Sequence, residues 1–285
     1  MAKYERIRTE NGIQYADYPE EYLRGGQSFE LKVSQGLIPK HSFVAKFGEN
    51  SDIDTGTVPE DVWEYGGAYT YDATGTAPIV SVVSDNAGDT ESFGIQGLDI
   101  NGNLVTQTVT LNGTTRVALT TPLWRVFRMS NQSATDIVGT VYCYVGTGGV
   151  PSATNVRAIV TSTNQTLMAL YTIPLGKVGF LKNVVLSGSG TKTAGYAQCS
   201  YAIRNVGKVF KIKRRLDISF SGSSSFLDLR FFPGPIPALS DIRVRVEDVS
   251  ANDTGISSTF DILLVDEDVF SDEYLSSIGQ PSEMP

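Results

Sequence analysis

Two Asn-Gly dipeptides, Asn101–Gly102 and Asn112–Gly113, constrain this chain more than any other feature, because β-forming residues flank both. A type I′ hairpin turn needs positive φ at its two central residues, which Asn and Gly adopt at little cost. Between the dipeptides, Val105, Gln107, Val109 and Leu111 share one face, and Thr106, Thr108 and Thr110 share the other. A period of two fits a strand with one wet face. The two turns and their flanks predict a three-strand meander. With Ser92–Leu98 as the meander's first strand, further runs at Pro78–Ser84, Leu123–Met129 and Ile137–Val145 bring the region to about six strands, as in a small sandwich.

A second β series is expected after residue 156, broken by Pro174-Leu175-Gly176, Gly188-Ser189-Gly190, Gly207, Gly222 and Pro233-Gly234-Pro235. Eight or nine short strands over about 110 residues suit a jelly-roll or related sandwich. The Gly/Pro/polar stretch Gly146–Asn155 between the two series reads as the boundary. The expected fold class is therefore all-β, with two consecutive β-sandwich, jelly-roll-like domains behind an extended N-terminal arm. The arm spans 1–42. The first β-domain spans 43–148 and opens on an irregular Gly/Asp/Trp loop at 43–72. The second sandwich spans 149–285 and ends in an acidic tail. The 285 residues, 41% of them hydrophobic and 19% charged, hold enough apolar material for two cores.

The net charge of -8 argues against whole-surface nucleic-acid binding. Cys143 and Cys199 sit in apparent strands of different domains and read as two buried thiols, compatible with assembly in a reducing cytoplasm. No apolar run reaches the ~20 residues of a membrane-spanning helix. The segment Met1–Arg6 has no apolar core of a secretory signal. The Asn-X-Ser/Thr triplets at Asn112, Asn131, Asn164 and Asn252 then read as turn chemistry rather than glycosylation.

Catalytic chemistry finds little to work with. A Ser-His-Asp or Cys-His arrangement would need the single histidine, His41, which lies in Ile38–Val44 without a nucleophile-elbow motif. One His and two distant Cys match no zinc spacing. No phosphate-binding loop or cofactor motif is present. The expectation is no enzyme, no cofactor and no metal. Asp52, Asp54, Glu60 and Asp61 beside Trp63 and Tyr65 hold the acids and aromatics of a sugar site. Asp52-Ile53-Asp54-Thr55-Gly56 partly matches a calcium loop, but its Gly is one position early and residue 63 is Trp where a Glu is required.

The candidate contact residues fall in three groups. Tyr4, Arg6, Arg8, Tyr15, Tyr18, Tyr22 and Arg24 lie in the arm, where Pro19–Arg24 has the makings of a short helix ended by Gly25-Gly26. Trp63, Tyr65 and Tyr69 lie in the irregular loop and anchor it against a domain or a partner. Lys211, Lys213, Arg214 and Arg215 alternate with Phe210 and Ile212 as a charged strand. Lysines on an edge strand block edge-to-edge pairing, and the same cations serve a protein interface. From Glu247 onward the chain carries ten acids and no Lys or Arg, an electrostatic complement to that strand within or between subunits.

The run from Phe47 to Trp63, with Gly66-Gly67 and Tyr69, resembles a recurrent segment of tailed-bacteriophage virion structural proteins. Gly97-Leu98-Asp99, Val109–Thr114, Asn164–Pro174 with Gly176-Lys177, and Phe260–Asp266 extend the resemblance over about residues 43–266. It implies a place in a virion and carries over no catalytic residue; the expected localisation is the virion, with synthesis in the host cytoplasm. The resulting expectation is a head decoration or cement protein that binds the capsid through its arm and aromatic loop. Its partners are other virion proteins, and it forms a homo-oligomer, a trimer by analogy, with no membrane or nucleic-acid partner. A neck, collar or tail-fibre component with a glycan- or receptor-binding sandwich is the alternative. A polysaccharide-degrading enzyme has the least support.

Overall fold

A computed structural model describes residues 7–10, 13–16, 28–190, 195–221, 225–230 and 234–279. The chain divides into two units, Met1–Phe43 and Val44–Pro285.

In the first unit, β1 (Ile7–Glu10) and β2 (Ile13–Ala16) form an antiparallel hairpin with Arg8 opposite Tyr15. Helix α1 (Phe29–Ser34) starts at Ser28, whose hydroxyl accepts a hydrogen bond from the Leu31 amide at 3.3 Å. Glu30 in its first turn and Lys32 in its last suit the helix dipole. The helix buries only Val33, while Phe29, Leu31 and the following Leu37 are exposed. The short helix expected from Pro19 lies outside the described residues, as do Tyr4, Arg6, Tyr18, Tyr22 and Arg24.

The second unit is all-β, built of antiparallel sheets in two sandwiches. In the first sandwich, one sheet has the order β11 (Val156–Val160), β10 (Val141–Val145), β5 (Ile79–Ser84), β8 (Val117–Leu123). It faces a sheet of β7 (Leu104–Thr110), β6 (Ser92–Leu98) and β9 (Arg125–Asn131). Phe93, Ile95, Met129, Val141, Cys143 and Ala158 fill the core between them. In the second sandwich, one sheet runs β12 (Leu170–Thr172), β17 (Asp241–Val249), β14 (Gly195–Arg204), β15 (Lys211–Phe220), with the two-residue β4 (Glu60–Asp61) paired to β17. The facing sheet runs β16 (Ser225–Arg230), β13 (Lys177–Gly190), β18 (Thr254–Asp266), β3 (His41–Ile53). Tyr201 of β14 and Phe260 of β18 meet across this core with ring centroids 6.4 Å apart.

Three expectations need correction. The Ile100–Leu104 turn does join paired strands, β6 and β7. The Asn112-Gly113 turn does not, because β8 pairs with β5 in the opposite sheet, so there is no three-strand meander. Gly113 takes its positive φ of 54° at a corner between sheets, where its N–H donates to Asp89 O and its O accepts from the Ser84 amide. Second, β11 pairs with β10, so Gly146–Asn155 connects neighbouring strands of one sheet and the second series starts later. Val156, Ala158 and Val160 fill the first core.

The third correction concerns residues 43–53, which form an edge strand rather than an irregular loop. Its inward positions are Lys46, Gly48 and Asn50, all buried, so the period of two is present in burial but hidden in hydropathy. Gly48 is required by close approach. A Cβ there would lie 2.1 Å from Ala169 N and 2.7 Å from Val62 O, both backbone atoms hydrogen-bonded to each other. Gly48→Ala is therefore expected to destabilise the fold by about 1–3 kcal/mol through overpacking. A urea midpoint unchanged from wild type would contradict the tight approach.

Candidate functional site

Arginines and aspartates from both sandwiches form a buried ionic seam beside the outer face of β17. Ile242, Val244 and Val246 point into the core, which leaves Arg243 and Arg245 on the other face. There β4 places Asp61 directly opposite Arg245. The Asp61 carboxylate is fully buried and accepts from Arg245 Nε at 2.8 Å, Arg245 Nη2 at 3.0 Å and the Tyr69 amide at 2.7 Å. Burial disfavours the Arg245 charge, but the hydrogen bond and attraction of Asp61 outweigh it and raise its pKa. For Arg243, 3.7 Å from Asp61, burial wins and the pKa is lowered.

A second carboxylate, Asp241 at the start of β17, gathers Arg125 Nε at 3.0 Å, Arg204 Nε at 3.0 Å and Thr172 Oγ1 at 2.6 Å. Arg125 belongs to the first sandwich, and Asp241 to the second. Arg125 also donates to Asp72 O at 2.9 Å, and the Asp72 carboxylate takes both arms of Arg157 at 2.7 Å. Aromatic rings fill the space between the cations. Arg243 lies 3.9 Å over Phe210, and Arg204 lies 4.6 Å over Tyr71. Each of these carboxylates thus accepts from arginine inside the protein, and the arrangement holds two sandwiches together.

A second tie lies between two edge strands. Lys46 of β3 donates to Phe127 O at 2.5 Å, and Arg128 of β9 donates back to Ala45 O at 2.9 Å. Lys46 is completely enclosed, and burial, with Arg128 nearby, brings its pKa down to about 7.

Sequence reasoning missed most of this. Arg243 and Arg245 alternate with apolar residues and so read as a wet strand face, because pairing with β4 joins positions about 180 residues apart. Trp63 and Tyr69 are packed in this chain's own core and offer no surface to another subunit, and half-buried Tyr65 packs against them. Glu60 is likewise internal, accepting from Asn50 Nδ2 and Gly67 N at 2.7 Å each. The acids of the supposed sugar site are therefore separated. Asp52 and Asp54 instead meet Asp253, their carboxylate oxygens lying within 4.8 Å of one another. Asp54 accepts from the Asp253 amide at 3.1 Å, a long-range tie between two loops. His41 Nδ1 lies 2.7 Å from Pro39 O. Cys143 and Cys199 are free and buried, and burial pushes both thiols up to about 12.

The basic strand residues do lie on the surface. β15 is the edge of its sheet, and Lys211, Ile212, Lys213, Arg214 and Arg215 are all exposed. Arg8 and Tyr15 hold opposing register positions in the β1–β2 hairpin.

No protein-family model matches the chain, and no curated protein matches it. Among solved structures, it is similar to infectious bursal disease virus, Gx strain, at 10% identity and a TM-score of 0.26, covering 81% of this chain and 74% of that one. It is similar also to the VP2 subviral particle of that virus, at 8% identity and a TM-score of 0.21, covering 80% and 73%. The Gt strain gives 11% identity and a TM-score of 0.21, covering 82% and 75%. Overlaps of this size assign neither a family nor a function.

Proposed function

We propose that the chain is a structural subunit of a tailed-phage particle, a head decoration or cement protein that grips the shell through its N-terminal unit. The observation that carries this reading is the division of labour in the chain. In the Val44–Pro285 unit, arginine–aspartate chemistry is turned inward to tie two sandwiches. The Met1–Phe43 unit carries Phe29, Leu31 and Leu37 at 45%, 44% and 50% exposure within nine residues. Large apolar side chains grouped on a surface mark contact sites. Many copies of a modest contact give avidity on a symmetric shell.

Serine at all three positions (Phe29→Ser, Leu31→Ser, Leu37→Ser) is expected to leave the melting temperature nearly unchanged, because exposed side chains contribute within about 0.5 kcal/mol. Occupancy on purified particles, read by quantitative mass spectrometry, is expected to fall by about tenfold or more, the effect of losing a contact worth ~1.4 kcal/mol or more. Unchanged occupancy would overturn the N-terminal grip. The same measurement counts copies on wild-type particles. Hundreds support decoration, and a dozen or fewer support a neck or tail position.

A further inference from the structure

We propose that the basic edge strand β15 of one copy receives the acidic C-terminal segment of a second copy, in a head-to-tail contact. This deepens the reading of the chain as an assembling subunit and rests on it for its biological purpose.

The receiving surface is the first half of β15, which pairs with β14 from Lys211 opposite Ile203 to Arg215 opposite Ser200. Residues 211–215 are exposed on both faces, whereas Leu216, Ile218 and Phe220 point into the core. Among the described residues the strand is bonded to β14 alone, so its other edge presents backbone donors and acceptors. Charge alone would suffice to keep such an edge from pairing. The strand and the loop before it add exposed apolar side chains, Val206 at 42%, Val209 at 75% and Ile212 at 47%, interleaved with Lys208, Lys211, Lys213 and Arg215. Cations alternating with uncovered apolar groups fit a ligand that is acidic and apolar in turn.

The chain carries such a ligand. After β18, a short turn (Glu267–Val269) leads to helix α2 (Asp272–Gly279), with Asp272 and Glu273 exposed and Val269 46% exposed beside them. Phe270 stacks on Tyr274 at 5.0 Å and lies 6.1 Å from Phe180 of β13, which fixes the root of this segment on its own sandwich. Lys211, Lys213 and Arg215 of the strand and Asp272 and Glu273 of the segment are all exposed. A second copy offers each surface its complementary charge. Because the two surfaces differ, the contact is heterologous. It closes into a ring if the rotation allows and otherwise propagates.

The test uses the purified full chain in solution. Sedimentation and light scattering at low salt are expected to show self-association, weakening as salt shortens the range of charge attraction. The strand variant (Lys211→Glu, Lys213→Glu, Arg215→Glu) and the tail variant (Asp272→Lys, Glu273→Lys) are each expected to bind themselves about tenfold or more weakly. An equimolar mixture of the two is expected to recover association, since the native strand of one meets the native tail of the other. That recovery also shows that both variants are folded. A wild-type chain that stays monomeric at about 100 μM, where even a weak contact would register, overturns the proposal. So does association that survives both charge reversals, or a mixture that stays dissociated. Self-association lost through these residues in a chain absent from particles would refute the particle role and leave this contact standing. Particle incorporation unaffected by the variants, with no association in solution, would do the reverse.

Discussion

Replacing Asp241 with alanine is expected to lower the unfolding free energy by about 3–5 kcal/mol, the cost of leaving buried charges without their partner. The Asp241 carboxylate is 5% exposed and takes hydrogen bonds from Arg125, Arg204 and Thr172. Arg125, itself 4% exposed, would lose its ion-pair partner. Arg125 reaches Asp241 from the first sandwich, so the variant should also loosen the tie between the two and broaden the transition. Lys177→Ala is the control. Its pair with Asp266 is about one-third exposed on both sides, and its loss is expected to cost less than about 1 kcal/mol. Equilibrium urea unfolding reads both. Equal losses for the two variants would show that the seam is not what joins the sandwiches.

The second large effect is a dependence on pH. Lys46 has a folded pKa of about 7 against 10.5 for a free lysine, since burial disfavours its charge and Arg128 adds repulsion. Between those values the unfolded chain holds one more proton than the folded one, so stability rises with pH. The slope is about 1.4 kcal/mol per pH unit, or roughly 2–3 kcal/mol from pH 7 to 9. Below pH 7 both states are protonated and this contribution levels off at its least favourable. Above pH 9 the trend reverses, because Cys143 and Cys199 then ionise in the unfolded chain while burial holds them to about 12 in the folded one. Lys46→Met is expected to flatten the rise between pH 7 and 9. It also leaves Phe127 O without its donor, at a cost of about 1–3 kcal/mol that is independent of pH. Thermal melts of the two proteins across this range separate the slope from the offset. An unchanged slope in the variant would show that Lys46 is not the titrating group.

Strands whose inward residues are apolar were legible in the sequence. The face of Val105 and Val109 against Thr106, Thr108 and Thr110 appears in β7, and Leu111 is buried just beyond it. β3 was not legible because Lys46, Gly48 and Asn50 hold its inward positions: Lys46 donates to Phe127 O, Asn50 donates to Glu60, and Gly48 leaves room for the Val62–Ala169 backbone. Asn112-Gly113 announced a turn, but a turn dipeptide specifies backbone angles and not which sheet the next strand joins. The seam was hidden for a related reason. Asp61 and Arg245, like Arg125 and Asp241, become neighbours only through long-range pairing, and in the sequence each reads as an ordinary surface charge. The basic strand was legible because exposure is what its composition already implied.

A cryo-EM reconstruction of the purified particle asks whether this chain is a repeated structural subunit of it. Density for two joined β-sandwiches is expected at symmetry-related positions on the shell, with the region of Phe29, Leu31 and Leu37 against a neighbouring protein. A particle complete without that density, with the chain found only in the soluble fraction of infected cells, would contradict that role.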